Sequence, residues 1–207
     1  MTLLRSTSAA CLCACLLGSE AQGQETLPAL FQDSLTEEAA GNYKAALNDM
    51  LKVLQSAPKH YTATLRAAWL HHLLGSSQEA VGYYQKSIQL APQAIEPKLG
   101  ILLPYMSLGK WLEAEKYARE VLITAPTDYY ANSRLAWILY SQGRYGEALP
   151  LYQKLLGWYP SDLEMQLGAG WTALKMGRKT EAKASFSAVL QIRPKDGSAQ
   201  QGFQLCY

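Results

Sequence analysis

The sequence has few charges and no long run of like charges or apolar residues. Charged residues make up 17% of the 207 residues, and 19 Lys and Arg residues are interspersed with 17 Asp and Glu residues. A basic surface for nucleic acid or an anionic membrane is therefore not expected. The 49% hydrophobic content still allows a substantial core, so we expect one folded unit.

The one compact apolar stretch, "AACLCACLLG", follows Arg5 and precedes the small residues Ser19 and Ala21. It is too short to span a bilayer comfortably. The pattern is typical of a secretory signal peptide over residues 1–21, cleaved before Gln22. We therefore expect an exported protein, periplasmic or secreted, with no membrane span after signal cleavage.

Cysteines are scarce, and three of the four, Cys11, Cys13 and Cys15, lie inside the predicted signal peptide. A metal or redox cluster and a lipoprotein box are alternative interpretations of these three residues. Cleavage would leave Cys206 alone, and one thiol cannot close an intramolecular disulfide. Stability must then come from packing.

Signatures of catalysis are also lacking. No Gly-rich phosphate loop follows a strand, no strand pattern is present, and no local signature of a Ser-His-Asp or Cys-His arrangement occurs. The adjacent His71 and His72 point about a third of a turn apart on a helix, whereas a zinc pair prefers four-residue spacing. We therefore predict no enzyme, no catalytic residue, no cofactor and no metal site.

What the sequence does contain is a repeat. Glycines recur every 34 residues, an alanine follows each glycine by five positions, and a proline closes each unit. Gly tolerates the left-handed conformation at a helix end, Pro stops a helix, and the segments between them space apolar residues three and four apart. The repeated residues are Gly41, Gly75, Gly109, Gly143 and Gly177; Ala46, Ala80, Ala114, Ala148 and Ala182; and Pro58, Pro92, Pro126, Pro160 and Pro194.

This register resembles the tetratricopeptide repeat (TPR), a 34-residue helix-turn-helix unit. The resemblance implies an all-α, right-handed superhelical α-solenoid of about five TPR units. We place a linker and degenerate first helix at 22–40, the repeats at 27–194 and a C-terminal capping helix at 195–207. Gly100 and Pro104 share one predicted helix, where the missing proline N–H predicts a kink or widened turn.

In this family, one stripe of each first helix resembles the lining of a concave groove. It carries the residues ten, six and three positions before each glycine, and it is almost entirely apolar or aromatic. Such a patch usually marks a binding site. The predicted groove residues are Leu65, Trp69, His72, Leu99, Leu103, Met106, Tyr130, Trp137, Tyr140, Leu167, Trp171 and Leu174, with Ser133 also on the stripe.

Two points about this stripe stay open. Trp69, Trp137 and Trp171 either offer a face to a ligand or pack between neighbouring first helices, and one ring can do both. Arg66 and Arg134, one residue further round, are placed at the groove rim, where they could fix a carboxylate, although solvated positions are the simpler interpretation.

The sequence thus predicts a non-catalytic scaffold or adaptor that binds a protein or peptide segment in an apolar, aromatic groove, within an exported or envelope assembly. A glycan is a possible alternative ligand, because Trp and Tyr faces stack on sugar rings. Such a protein would be an accessory to polysaccharide export. Self-association as a homo-oligomer is a third possibility.

Overall fold

A computed structural model describes residues 26–207, which fold into successive antiparallel helix pairs. The predictions of a signal peptide and of a role for Cys11, Cys13 and Cys15 lie outside the described residues. Each helix packs against its neighbours in the chain, so that the all-α solenoid predicted from the repeat is confirmed. Within the described range, no helix is both long and apolar enough to cross a membrane.

The first helices of the repeats are α1 (Leu27–Ala39), α3 (Tyr61–Leu73), α5 (Glu96–Gly100) with α6 (Leu102–Ser107), α8 (Tyr129–Ser141) and α10 (Leu163–Lys175). The second helices are α2 (Tyr43–Ser56), α4 (Ser77–Leu90), α7 (Trp111–Thr124), α9 (Tyr145–Trp158) and α11 (Lys179–Ile192). The last helix, α12 (Gly197–Gln204), packs on α10 and α11.

The repeated glycines end the first helices in the left-handed conformation, with φ between 67° and 80°. At Gly75 the backbone N–H donates to the carbonyl of His72, and the next N–H, of Ser76, donates to that of His71. These two hydrogen bonds satisfy carbonyl groups that the end of a helix leaves free. The five alanines that follow the glycines are fully buried where two helices cross.

Aspartates begin the later first helices. Asp128, Asp162 and Asp196 each accept a hydrogen bond from backbone N–H groups two or three residues further along. This contact satisfies donors that the helix start leaves free. The third repeat has Ala94 at the corresponding position and no such cap, and its first helix begins only at Glu96.

The first helix of the third repeat is interrupted. The sequence predicts one kinked helix, but the structure has two short helices that meet at Ile101. Pro104 has no N–H to donate to the carbonyl of Gly100, and this is the expected cause of the break. The predicted irregularity is therefore confirmed in place, as an interruption at Ile101, where the backbone keeps right-handed helical angles.

Size complementarity joins successive repeats. Where a second helix carries a buried aromatic ring, the first helix that follows carries a glycine 16 residues later, on which a Cβ atom would overlap the ring. The pairs are Tyr84 with Gly100, Tyr152 with Gly168, and Phe186 with Gly202. The absence of a side chain on these glycines lets neighbouring repeats approach closely.

Two second helices have no aromatic ring at the position of Tyr84, Tyr152 and Phe186, and the following first helix has no glycine there. The second helices there carry Met50 and Ala118, and the residues 16 positions later are Arg66 and Arg134. Both arginines are partly buried and bind the preceding first helix. The interpretation of these two arginines as solvated is therefore wrong, because each long side chain lies against the preceding first helix. Their placement at the groove rim stays a prediction.

Candidate functional site

The first helices of the third to fifth repeats and α12 surround an open cavity of about 920 Å³. Six of the predicted groove residues line it: Leu103, Met106, Trp137, Tyr140, Leu167 and Trp171. The stripe position Ser133 and the predicted rim residue Arg134 also lie in the wall. A space of this size falls in the range of small-molecule and peptide side-chain pockets.

The other six predicted groove residues do not line this cavity. Leu65, Leu99 and Leu174 are partly buried against the core, whereas Trp69 and Tyr130 are 37% and 58% exposed. His72 lies next to Trp69, with ring centroids 5.7 Å apart, and burial lowers its pKa. The stripe therefore extends beyond the cavity towards α3, and the binding role of these six residues stays a prediction.

The three recurring tryptophans have different surroundings. The Trp69 Nε1–H donates to Glu38 Oε1 at 2.8 Å, and the Trp171 Nε1–H donates to Ser198 Oγ at 2.9 Å. Trp171 also packs edge-on against Phe186 at 5.2 Å. These two rings thus join neighbouring repeats.

Trp137 has no such partner. Its indole N–H makes no hydrogen bond to any of the described residues, its ring is 48% exposed, and it stacks on Tyr140 at 5.6 Å. A large exposed aromatic ring with a free donor, beside a cavity, has the properties of an interface anchor. Of the three tryptophans, Trp137 is the one best placed to contact a ligand.

Tyr152 contributes to the cavity from the second helix α9. The residue is only 2% exposed, burial raises the pKa of its phenol, and its hydroxyl has no hydrogen-bond partner in residues 26–207. It reaches the cavity wall beside Gly168 of the next repeat. The cavity thus combines an apolar wall with free hydrogen-bond donors from Tyr152 and Trp137.

Sequence reasoning missed several lining residues. It did not place Tyr152 or the predicted capping helix at the groove, but the aromatic–glycine spacing of 16 residues could have shown that Tyr152 faces the next first helix. The missed lining residues are Tyr152, Glu164, Met165, Gly168, Lys175 and Ser198.

Arg134 lies in the cavity wall. Its Nη1–H donates to the carbonyl oxygen of Leu99 at 2.7 Å, next to the interrupted helix, and its guanidinium group lies 5.4 Å from the Tyr130 ring centre. Burial lowers the pKa of Arg134. No carboxylate of the described residues is within ion-pair distance of this side chain.

Five ionisable side chains line the cavity. Among residues 26–207, no group of three His, Cys, Asp or Glu side chains is placed to hold a metal ion. The ionisable lining residues are Arg134, Tyr140, Tyr152, Glu164 and Lys175. Their mixture of free donors and apolar surface suits binding.

Comparison with family models supports the assignment of the 34-residue unit as a tetratricopeptide repeat. A model described as tetratricopeptide repeat matches residues 34–95 and 104–162, which is more than half of the chain. A second model with the same description matches residues 139–204. Comparison with curated protein sequences finds no match.

Solved structures share the fold at low sequence identity. The crystal structure of YrrB, described as a TPR protein with an unusual peptide-binding site, is 16% identical with a TM-score of 0.74, over 88% of this chain and 94% of that chain. A MamA crystal structure is 18% identical with a TM-score of 0.73, over 83% and 93%. A tetratricopeptide repeat protein from Parabacteroides merdae is 18% identical with a TM-score of 0.71, over 90% and 80%.

Proposed function

The chain belongs to the tetratricopeptide repeat family, and from that premise we propose that it is an adaptor whose concave groove binds a segment of a partner protein. Proteins of this family are typically non-catalytic scaffolds for protein–protein interaction. The contacts in the groove are apolar and aromatic, and the partner segment lies along the first helices of the third to fifth repeats. The chain itself carries out no reaction.

The observation that carries the proposal is the state of Trp137. Nearly half of its ring is exposed beside the cavity, and its N–H lacks a partner among the described residues, while the equivalent Trp69 and Trp171 both bind neighbouring repeats. Aromatic residues in such positions dominate the affinity of many interfaces. The YrrB structure, with its peptide-binding site, supports a peptide as the class of ligand for this fold.

A selection from a library of displayed random peptides tests the proposal, followed by affinity measurement with the purified chain. We expect Trp137→Ala to weaken the selected peptides by about 30-fold, the size typical of a hot-spot residue. Trp158→Ala is the matched control, because Trp158 is 40% exposed but lies at the end of the second helix α9, away from the cavity. That variant should change the affinity by less than about twofold.

Circular dichroism and thermal unfolding of both variants establish that they fold alike. Equal loss of binding in the two variants, or loss in Trp158→Ala alone, would contradict a groove site. Failure of the parent chain to select any peptide would also contradict the proposal.

We propose further that the protein acts outside the cytoplasm, periplasmic or secreted, within an envelope assembly. The support is the sequence of residues 1–21, with Arg5, the short apolar stretch, and Ser19 and Ala21 before Gln22. Mass spectrometry of the protein recovered from its producing cells should find Gln22 as the N-terminus. A chain recovered with residues 1–21 attached would contradict export by this route.

A further inference from the structure

The chain contains its own example of how an Arg–Trp pair of this solenoid binds a carboxylate. On α3, Arg66 Nη2–H donates to Glu38 Oε2 at 2.6 Å, and Trp69 Nε1–H donates to Glu38 Oε1 at 2.8 Å. Both oxygens of one carboxylate are therefore held by two side chains three residues apart. Charge-assisted bonds of this kind are about twice as strong as bonds between neutral groups.

The same pair recurs two repeats later without its carboxylate. Arg134 and Trp137 stand 68 positions after Arg66 and Trp69, and the residue 68 positions after Glu38 is Met106. Met106 lines the cavity together with Arg134 and Trp137. The pair is thus repeated at the cavity, but the acidic residue that should satisfy it is replaced by a thioether.

The donors of this second pair remain available. Arg134 uses Nη1 for the Leu99 carbonyl and forms no ion pair among the described residues, and the Trp137 N–H has no partner there. The nearby carboxylates do not pair with it directly: Asp128 accepts from the backbone N–H of Ala131 and interacts with Arg134 only at longer range, and Glu164 pairs with Arg193 at 3.4 Å. A partly buried guanidinium group without a directly paired anion favours a ligand that supplies one.

We propose that the cavity recognises an acidic side chain, Glu or Asp, of the partner segment, whose carboxylate binds between Arg134 and Trp137 in the way that Glu38 binds between Arg66 and Trp69. A large apolar side chain of the same segment occupies the neighbouring space beside Leu167. The inference deepens the adaptor function proposed above and rests on it.

A side-chain carboxylate is favoured over a chain terminus for two reasons. The internal example, Glu38, is itself a side chain that reaches in from a neighbouring element. The stripe also continues on both sides of the pair, towards Trp69 in one direction and Trp171 in the other, so that a bound segment can run past the pair.

The test uses 12-residue peptides taken from the display selection, synthesised with acetylated and amidated ends. Each peptide is made in an acidic form, with its Glu and Asp residues in place, and in an amide form, with Gln and Asn in their place. Binding of both forms is measured by fluorescence anisotropy. We expect the acidic forms to bind about tenfold or more tightly than the amides, as is typical for hydrogen bonds to a charged group. Arg134→Gln should abolish this difference.

Met106→Glu provides a second variant that does not remove the arginine. It installs a carboxylate at the position that Glu38 occupies in the first repeat. That carboxylate should bind Arg134 and Trp137 and so compete with the carboxylate of the peptide. We expect Met106→Glu to weaken the acidic peptides by about tenfold or more. The isosteric variant Met106→Gln alters the same part of the cavity wall without adding a charge, so it should change the affinity of acidic and amide peptides alike, whereas Met106→Glu should weaken the acidic peptides selectively.

The outcomes separate this inference from the adaptor function. Peptides that need Trp137 but bind equally in acidic and amide forms would overturn the acidic inference and leave the groove function standing. Peptides that bind only with a free C-terminus would overturn it in favour of a terminal carboxylate. Failure of every peptide to bind the parent chain would overturn both.

Discussion

Gly168→Ala should lower the free energy of unfolding by about 1–3 kcal/mol, the cost usual for overpacking a filled core. A Cβ atom on Gly168 would overlap Cε1 of Tyr152 and lie 2.6 Å from its Cζ. Tyr152 is only 2% exposed, so the added Cβ atom would have to displace a buried ring. Urea unfolding followed by circular dichroism measures the change.

The direction of this effect distinguishes packing from helix propensity. Alanine in a helix interior is favoured over glycine by about 0.8–1 kcal/mol, so a change governed by propensity alone would stabilise the protein. Gly82→Ala in α4 is the matched control, because a Cβ atom there meets no atom within 4 Å. We expect Gly82→Ala to be stabilising, and a stabilised Gly168→Ala variant would contradict the packing account.

Phe186→Ala should be more costly still, lowering the free energy of unfolding by about 3–5 kcal/mol, as is typical for a buried Phe. The side chain is fully buried, and its ring fills the space that Gly170 on α10 and Gly202 on α12 leave open. It also supports the edge of Trp171 at 5.2 Å. Its removal leaves a cavity where three helices meet.

Hydrogen exchange locates the loss. Because Phe186 joins α11 to α10 and α12, amides of α12 should lose protection first in the Phe186→Ala variant, while those of α1 and α2 keep theirs. Phe203→Ala is a control of the same type at a partly buried position in α12, and it should cost less. A Phe186→Ala cost below about 1 kcal/mol would show that the C-terminal helices do not depend on this ring.

The helical fold was predictable because its determinants are local. The glycine conformation, the proline stops and the small alanines act within one repeat or between adjacent helices, and the chain repeats them in register. The irregular third repeat was visible too, since Pro104 removes a donor wherever it lies in a helix. The missing cap was not predicted: Ala94 stands where later repeats have a capping Asp. The helix that follows begins only at Glu96 and is interrupted at Ile101.

The candidate site was less predictable because it depends on contacts between repeats. Trp69, Trp137 and Trp171 occupy the same position of their repeats. Trp69 and Trp171 are held by Glu38 and Ser198 of neighbouring helices, and Trp137 faces no such partner. A single-repeat pattern cannot contain that information.

The two arginines illustrate the same limit. A position one residue beyond the stripe is expected to be solvated, but Arg134 is drawn inward, where the preceding second helix has Ala118 in place of an aromatic ring. A buried aromatic residue on a second helix is followed 16 positions later by a glycine, and a residue without a ring at that position is followed by an arginine. This relation is present in the sequence, but its meaning is clear only when the packing of neighbouring repeats is known.

The most direct test of a groove site follows all five tryptophans at once. The chain is labelled with 5-fluorotryptophan, each fluorine resonance is assigned by a Trp→Phe variant, and a selected peptide is titrated in. The account predicts that the Trp137 resonance shifts most, with a smaller shift for Trp171 and none for Trp111 and Trp158, which lie on second helices. A shift of Trp111 or Trp158 with Trp137 unchanged would contradict it.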